Sequence, residues 1–242
     1  MKKAIIIGAT SGIGLEVARR LHGEGVAIGI AGRREDRLKA IAADLGKGVT
    51  IQPLDVTKDD AAKRFNSMAD TMGGVDTVFL VAGVGSQNKA LDPEIEIATA
   101  RTNVEGFTRM ICTAFNYLKA KGGGHIVAVS SIAGTKGLGV APAYSATKRF
   151  QNTYIQCLAQ LSHMTGAKVT FTDIRPGFVD TDLLRSGSYP LLMKPENVAQ
   201  SIVKAARTRK RTATIDWRYR LLVAAWRLIP DCIWERLSIQ TK

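Results

Sequence analysis

The chain has few of the residues that build covalent or metal-bound scaffolds. Its three cysteines, Cys112, Cys157 and Cys232, are odd in number and far apart in 242 residues. That excludes a disulfide framework and a cysteine-rich metal site, and it points to a reducing compartment. The three histidines, His22, His125 and His163, are equally scattered, so no metal ion is expected. Long apolar runs are also missing, which argues against a membrane-spanning helix. The opening "MKKAIIIGAT" sets basic residues before apolar ones, but its apolar run, residues 4–7, is too short for a secretory signal. A cytoplasmic protein is expected. Acidic residues are under-represented, 21 against 34 Lys and Arg, for a net charge of +13. A basic surface attracts phosphates nonspecifically. Without a recognition motif or a basic stripe with stacking aromatics, no specific nucleic-acid partner is expected.

What is present is a regular alternation. Short β-branched runs ("KAIIIG", "VAIGIAG", "VTIQPLD", "VDTVFLVAG", "HIVAVSS", "KVTFTDIRPG" and "TATID") alternate with amphipathic segments near residues 13–23, 35–45, 58–72, a long region through 118, 143–164 and 195–207. Apolar strands separated by helices read as a parallel sheet covered on both faces. Right-handed crossovers make this a doubly wound α/β Rossmann fold of about seven strands. There is no linker, so residues 1–216 are expected to form one domain and 217–242 a C-terminal extension that is not an independent domain.

The first strand-to-helix turn, "GATSGIG", holds Gly8, Gly12 and Gly14. Glycines there let the backbone turn and approach a pyrophosphate at a helix N-terminus, and Thr10 and Ser11 add hydroxyl donors. The second strand ends in Arg33 and Arg34, where NAD-binding folds usually carry an acid. Guanidinium groups suit a ribose 2′-phosphate, so NADP(H) is the expected cofactor, with Arg33 the leading partner and Arg34 the lesser one. Asp55 ends the third strand, where it can meet the adenine amino group or cap the next helix.

"AYSATKRF" places Tyr144 four residues before Lys148, on one face of a helix. An ammonium at ~4 Å from the phenol is worth about 4 kcal/mol at an effective dielectric near 20. Unopposed, it would lower a tyrosine pKa from about 10 to roughly 7, with desolvation working in the other direction.

Together, "GATSGIG", "LDV", "AG" at Ala82–Gly83, "TNVEG", "VSSIAG", "YSATK" and "RPGFVDT" occur in the order and spacing of the short-chain dehydrogenase/reductase family, which the chain resembles from about residue 5 to 215. The resemblance implies hydride transfer between a nicotinamide and a carbonyl or secondary alcohol, with Tyr144 as acid/base, Ser131 holding the substrate oxygen, Lys148 on the nicotinamide ribose and Asn103 ordering a water. Ser130, adjacent to Ser131, should face the other way along its strand. The resemblance also implies cofactor contacts from Ile13, Val56, Ala82, Gly83, Pro176, Gly177, Val179 and Thr181, and a homodimer or homotetramer. Loss of catalysis would leave an NADP(H)-binding redox sensor, but none of the Ser, Tyr and Lys is missing.

Two positions depart from the family pattern. Ile7 stands where threonine is usual and Val81 where asparagine is usual, and an apolar contact between them is expected. The C-terminus is the other unexplained feature. From Ala199 onward, ten basic residues face three acidic ones, +7 of the chain's +13. The stretch "WRYRLLVAAWRLIPDCIWERL" reads as a tail helix broken at Pro230, packed on the domain or on a second subunit, or else lying in an anionic membrane surface. Leu183, Leu184, Leu191, Leu192 and Met193 before it can line an apolar mouth, which suggests a lipid-like substrate and a location at the inner membrane surface.

Overall fold

The computed structural model describes residues 1–184 and 189–239. Seven parallel strands form one sheet: β1 (Lys3–Ile7), β2 (Ala27–Gly32), β3 (Val49–Pro53), β4 (Thr77–Leu80), β5 (Gly124–Val129), β6 (Val169–Arg175) and β7 (Thr212–Thr214), in the order β3-β2-β1-β4-β5-β6-β7. The helices are α1 (Gly12–Gly23), α2 (Glu35–Leu45), α3 (Ala61–Thr71), α4 (Pro93–Ala100), α5 (Phe107–Ala120), α6 (Pro142–Met164), α7 (Pro195–Arg207), α8 (Trp217–Arg227) and α9 (Asp231–Trp234).

Burial of β1 on both faces explains its unbroken apolar run. Ala4 and Ile6 join the core under α1, α2 and α7, whereas Ile5 and Ile7 join the core under α3, α5 and α6. The strand order reverses between β1 and β4, and there the chain ends of adjacent strands part to leave the crevice in which such folds bind ligands.

Three details differ from the sequence expectation. The helix expected from about residue 58 begins at Ala61, because Asp55 first closes a turn by accepting from the Thr57 amide and hydroxyl at 3.0 and 2.8 Å. The long helical region splits into α4 and α5 around a π-helical segment, Arg101–Gly106, a widened coil that often marks a functional position. Ile7 and Val81 do not make the expected side-chain contact. Their backbones meet, Val81 N donating to Ile7 O at 2.9 Å. However, Ile7 is paired with Leu80, so alternation sends Val81 to the opposite face and the other core cluster.

The extension breaks at Pro230, as expected, and packs on its own domain. Trp226 Nε1 donates to Thr135 Oγ1 at 2.9 Å, Trp234 Nε1 to Gly137 O at 2.6 Å, and Lys136 Nζ to Ile229 O at 2.9 Å. No helix among the described residues is long and apolar enough to cross a membrane.

Candidate active site

The turn after β1 is built for close backbone approach. Gly8 has φ +95°, and a Cβ there would lie 2.5 Å from the Ala82 nitrogen. A Cβ on Gly14 would fall 2.0 Å from Gly8 O. Both positions therefore require glycine. Ile13 sits in the first turn of α1. That helix starts at Ser11 with no side-chain cap and no acidic residue in its first turn, so its first amides and the positive end of its dipole face the crevice unopposed. This is a cradle suited to a phosphate group. Thr181, from the segment after β6, closes over it: a Cβ on Gly12 would meet the Thr181 methyl at 2.9 Å.

The two arginines at the end of β2 take up different positions. Arg34 folds back into the cradle, its Nη2 donating to Thr10 Oγ1 at 2.8 Å and Ser11 Oγ at 2.9 Å. Arg33 is exposed, close enough for its charge to act on Asp55. The reason is local: Arg34 is the residue preceding α2 and faces α1, whereas Arg33 lies one position earlier and points outward. Burial works to raise the Asp55 pKa, but the Thr57 bonds and the charges of Arg33 and Lys58 outweigh it and hold the carboxyl below its ordinary value. Both Thr57 bonds fall on Oδ1, which leaves Oδ2 for a ligand. Val56 packs against Gly106 of the π segment.

At the end of β5, Ser130 and Ser131 face opposite ways, as alternation requires. Ser130 Oγ donates to the buried Asp173 carboxylate at 2.5 Å, within a network that includes Asn152 and Arg175. Ser131 faces the crevice, donating to Pro176 O at 3.4 Å and hydrogen-bonded to the Tyr144 phenol. Tyr144 and Lys148 share one face of α6, and the Tyr144 ring lies against Gly85, where a Cβ would come within 2.5 Å.

The electrostatics reverse the expected direction for Tyr144. Burial raises its pKa, and the Ser131 hydrogen bond only partly offsets this. Lys148 is too far away to dominate: its Nζ lies 5.6 Å from the ring centroid and is turned towards Val129 O at 3.1 Å and Gln151 Oε1 at 3.0 Å. Burial also lowers the Lys148 pKa to about 8, with Asp173 pulling it back up.

Two functional neighbours lie outside the family motifs. Gln151 is fully buried and bridges the site, accepting from Lys148 and donating from Nε2 to the Asn103 carbonyl at 2.9 Å. A glutamine one helical turn past the lysine, on the same face, was the available signal. Asn103, on the π segment, uses its side chain to hold both the amide and carbonyl of Val84, at 2.9 and 2.7 Å. This pins the loop of Ala82 and Gly83 over Lys148. The second neighbour is Tyr219 of α8, which packs on Gly177, accepts from the Phe178 amide at 3.1 Å and donates to Pro190 O at 2.9 Å. Val179 pairs with Met193 beside it. Residues 185–188 of the expected substrate segment lie outside the described residues.

A glycine-rich strand-to-helix turn at the reversal point of a doubly wound sheet, with Ser, Tyr and Lys gathered at the same edge, defines a nucleotide-binding oxidoreductase class. The short chain dehydrogenase model matches residues 2–189, and the chain belongs to that family. It is 32% identical to an uncharacterized oxidoreductase of Myxococcus xanthus, over 97% of this chain and 95% of that one. A second uncharacterized oxidoreductase, from Staphylococcus aureus, is 32% identical over 84% of this chain and 90% of its own length. Among solved structures, it is similar to an alcohol dehydrogenase of the archaeon Thermococcus sibiricus complexed with 5-hydroxy-NADP, with TM-score 0.78 and 26% identity, covering 89% of this chain and 96% of that one. A 3-ketoacyl-(acyl-carrier-protein) reductase of Brucella melitensis, at 22% identity and TM-score 0.79, shares the fold over 89% of this chain and 96% of its own.

The buried ammonium sets a pH dependence of stability. Lys148 titrates at about 8 when folded and near 10.5 when unfolded. Between those values the unfolded chain binds more protons, so stability rises with pH across that window and the gain is lost as pH falls through 8. In Lys148→Met this rise, about 3 kcal/mol from the 1.36 kcal/mol per pKa unit relation, should be absent. Denaturant melts of both proteins at pH 7.5 and 10.5 measure the difference.

Proposed function

We propose that the protein is an NADP(H)-dependent oxidoreductase that interconverts a carbonyl and a secondary alcohol on an apolar substrate. The observation that carries this reading is the convergence of Ser131, Tyr144 and Lys148 at the crevice, facing an uncapped helix start that Arg34 enters. The glycine cradle and the first amides of α1 fit the pyrophosphate. Arg34, with Arg33 beside it, fits the 2′-phosphate. Asp55 Oδ2 and the Val56 backbone fit the adenine, and Lys148 the nicotinamide ribose. Pro176, Gly177, Val179 and Thr181 form the wall at the carboxamide end.

Bound NADPH supplies hydride to the carbonyl carbon. Ser131 donates a hydrogen bond to the carbonyl oxygen and fixes it within reach of Tyr144. The raised pKa keeps the Tyr144 phenol protonated at neutral pH, so in the reductive direction it already holds the proton that it gives to that oxygen. The Lys148 ammonium favours the tyrosinate left behind. Gln151 holds Lys148 Nζ against Val129 O and ties it to the Asn103 carbonyl, where the family resemblance implies a water. An amide that accepts on one side and donates on the other orients both neighbours. Leu183, Leu191 and Leu192, exposed at the mouth, suit an apolar substrate. Three free thiols support a reducing, cytoplasmic setting.

Tyr144→Phe keeps the ring and removes the proton, so turnover with NADPH and a carbonyl panel should fall by at least ~10²-fold while NADPH binding persists. Cofactor absorbance and fluorescence titration read the two quantities, and near-normal turnover would refute the role.

Arg34→Ala should weaken NADPH relative to NADH by roughly ten- to a hundredfold, the effect of losing a charge-assisted contact, with Arg33→Ala weaker in effect. Tighter binding of NADH than NADPH by the unmodified protein would overturn the cofactor assignment.

Gln151 acts through Lys148, so its variants should move a pH profile. Gln151→Glu places a negative charge on the ammonium and should shift the lysine-dependent limb of kcat to higher pH, whereas Gln151→Leu should shift it lower. A purely structural glutamine would change the height of the profile without moving it in opposite directions.

A further inference from the structure

Helix α8 is amphipathic in an inverted sense. Tyr219, Val223 and Trp226, spaced by four and three, face the domain, with Tyr219 1% and Val223 7% exposed. On the opposite side, Trp217, Leu221 and Leu228 recur at spacings of four and seven and are 61%, 62% and 83% exposed. A free-standing surface helix ordinarily turns its polar side outward. Here the outward stripe is apolar, and its flanks are basic. Arg218 lies on one side, paired with Asp216 at 2.6 Å. Arg220 and Arg227 lie on the other, and neither forms a salt bridge with a carboxylate among the described residues. The apolar exposure continues past Pro230 in Ile233 and Leu237, 50% and 46% exposed.

We propose that this face docks the protein on an anionic phospholipid bilayer. The stripe enters the headgroup boundary with Trp217 at its edge, and Arg220 and Arg227 meet lipid phosphates. Charge favours this occupant over a second copy of the chain. Helix α8, "WRYRLLVAAWR", contains no acidic residue, so a second α8 laid against it offers no carboxylate to Arg220 or Arg227. An anionic membrane supplies the opposite charge along the whole stripe. The inner face adds a geometric consequence: Tyr219 holds Phe178, Pro190 and Leu191, and Trp226 holds Thr135, four residues after Ser131. Docking through the outer face therefore sets the mouth of the active site at the lipid surface. The stripe and its arginines lie outside the crevice, so docking is independent of which cofactor the crevice holds.

Co-sedimentation of the full chain with sonicated vesicles tests it, using phosphatidylcholine alone and a phosphatidylcholine–phosphatidylglycerol mixture. Binding is expected to the mixture and not to phosphatidylcholine, and to weaken as salt is raised. Arg220→Gln and Arg227→Gln should each lower the partition coefficient about fivefold. The double variant Leu221→Asp, Leu228→Asp should abolish binding while its melting temperature and NADPH affinity stay unchanged, since both positions are exposed and remote from the site. Light scattering of both proteins covers the competing occupant. No binding to the mixture, equal binding of wild type and double variant, or a wild-type oligomer that the double variant dissolves without any vesicle binding would each overturn the proposal.

Discussion

A cationic side chain buried at the end of a parallel sheet must be satisfied by its surroundings, and Lys148 imposes that requirement on five separate elements. It is 4% exposed, and burial alone drives its pKa down. The carbonyl of Val129 at the end of β5, the amide of Gln151 one turn along α6 and the charge of Asp173 on β6 together keep an ammonium tenable there. Through Gln151 the constraint reaches the Asn103 carbonyl, and through the Asn103 side chain it reaches the loop after β4, which covers the lysine. The π segment follows from the same demand. It turns the Asn103 side chain to the Val84 backbone while its carbonyl faces α6.

The same chain of contacts explains why Tyr144 is not a preformed tyrosinate. Two demands act on the position of the lysine ammonium: closeness to the phenol, which lowers the phenol pKa, and solvation by Val129 and Gln151. The second wins, because Nζ has oxygen acceptors at 3.0 and 3.1 Å and the phenol ring centroid is 5.6 Å away. A phenol that stays protonated suits a proton donor.

Most of the fold was legible because β1, β4 and β5 are buried on both faces and α4, α6 and α7 each open on a proline. The family motif singled out Ser131, and strand alternation set Ser130 on the opposite face. What was not legible depends on which way a side chain turns at the end of an element. Charge alone does not say which guanidinium reaches Thr10 and Ser11, because position relative to α2 decides it. The Ile7–Val81 expectation failed because adjacent strands do not imply a shared face: a one-residue offset in register moves a side chain to the opposite core. The phenol pKa could not be read from spacing, because burial has no signature in a four-residue interval. Tyr219 was hidden for a similar reason, since its partners lie 28 to 41 residues earlier in the chain.

The extension then acquires a structural logic independent of any motif. A Cβ on Gly177 would lie 2.2 Å from the Tyr219 ring, so glycine after Pro176 is what allows α8 to sit against the segment that closes the crevice. Tyr219 satisfies one amide and two carbonyls of that segment, polar groups that a loop over an apolar mouth would otherwise leave without partners. The inner face of α8 is thereby committed to the active-site wall, and its residue types follow from packing. Among the described residues the outer face has no such commitment, and yet it carries tryptophan and leucine where solvent alone would favour polar residues. The proposed docking accounts for the apolar stripe and for the arginines beside it.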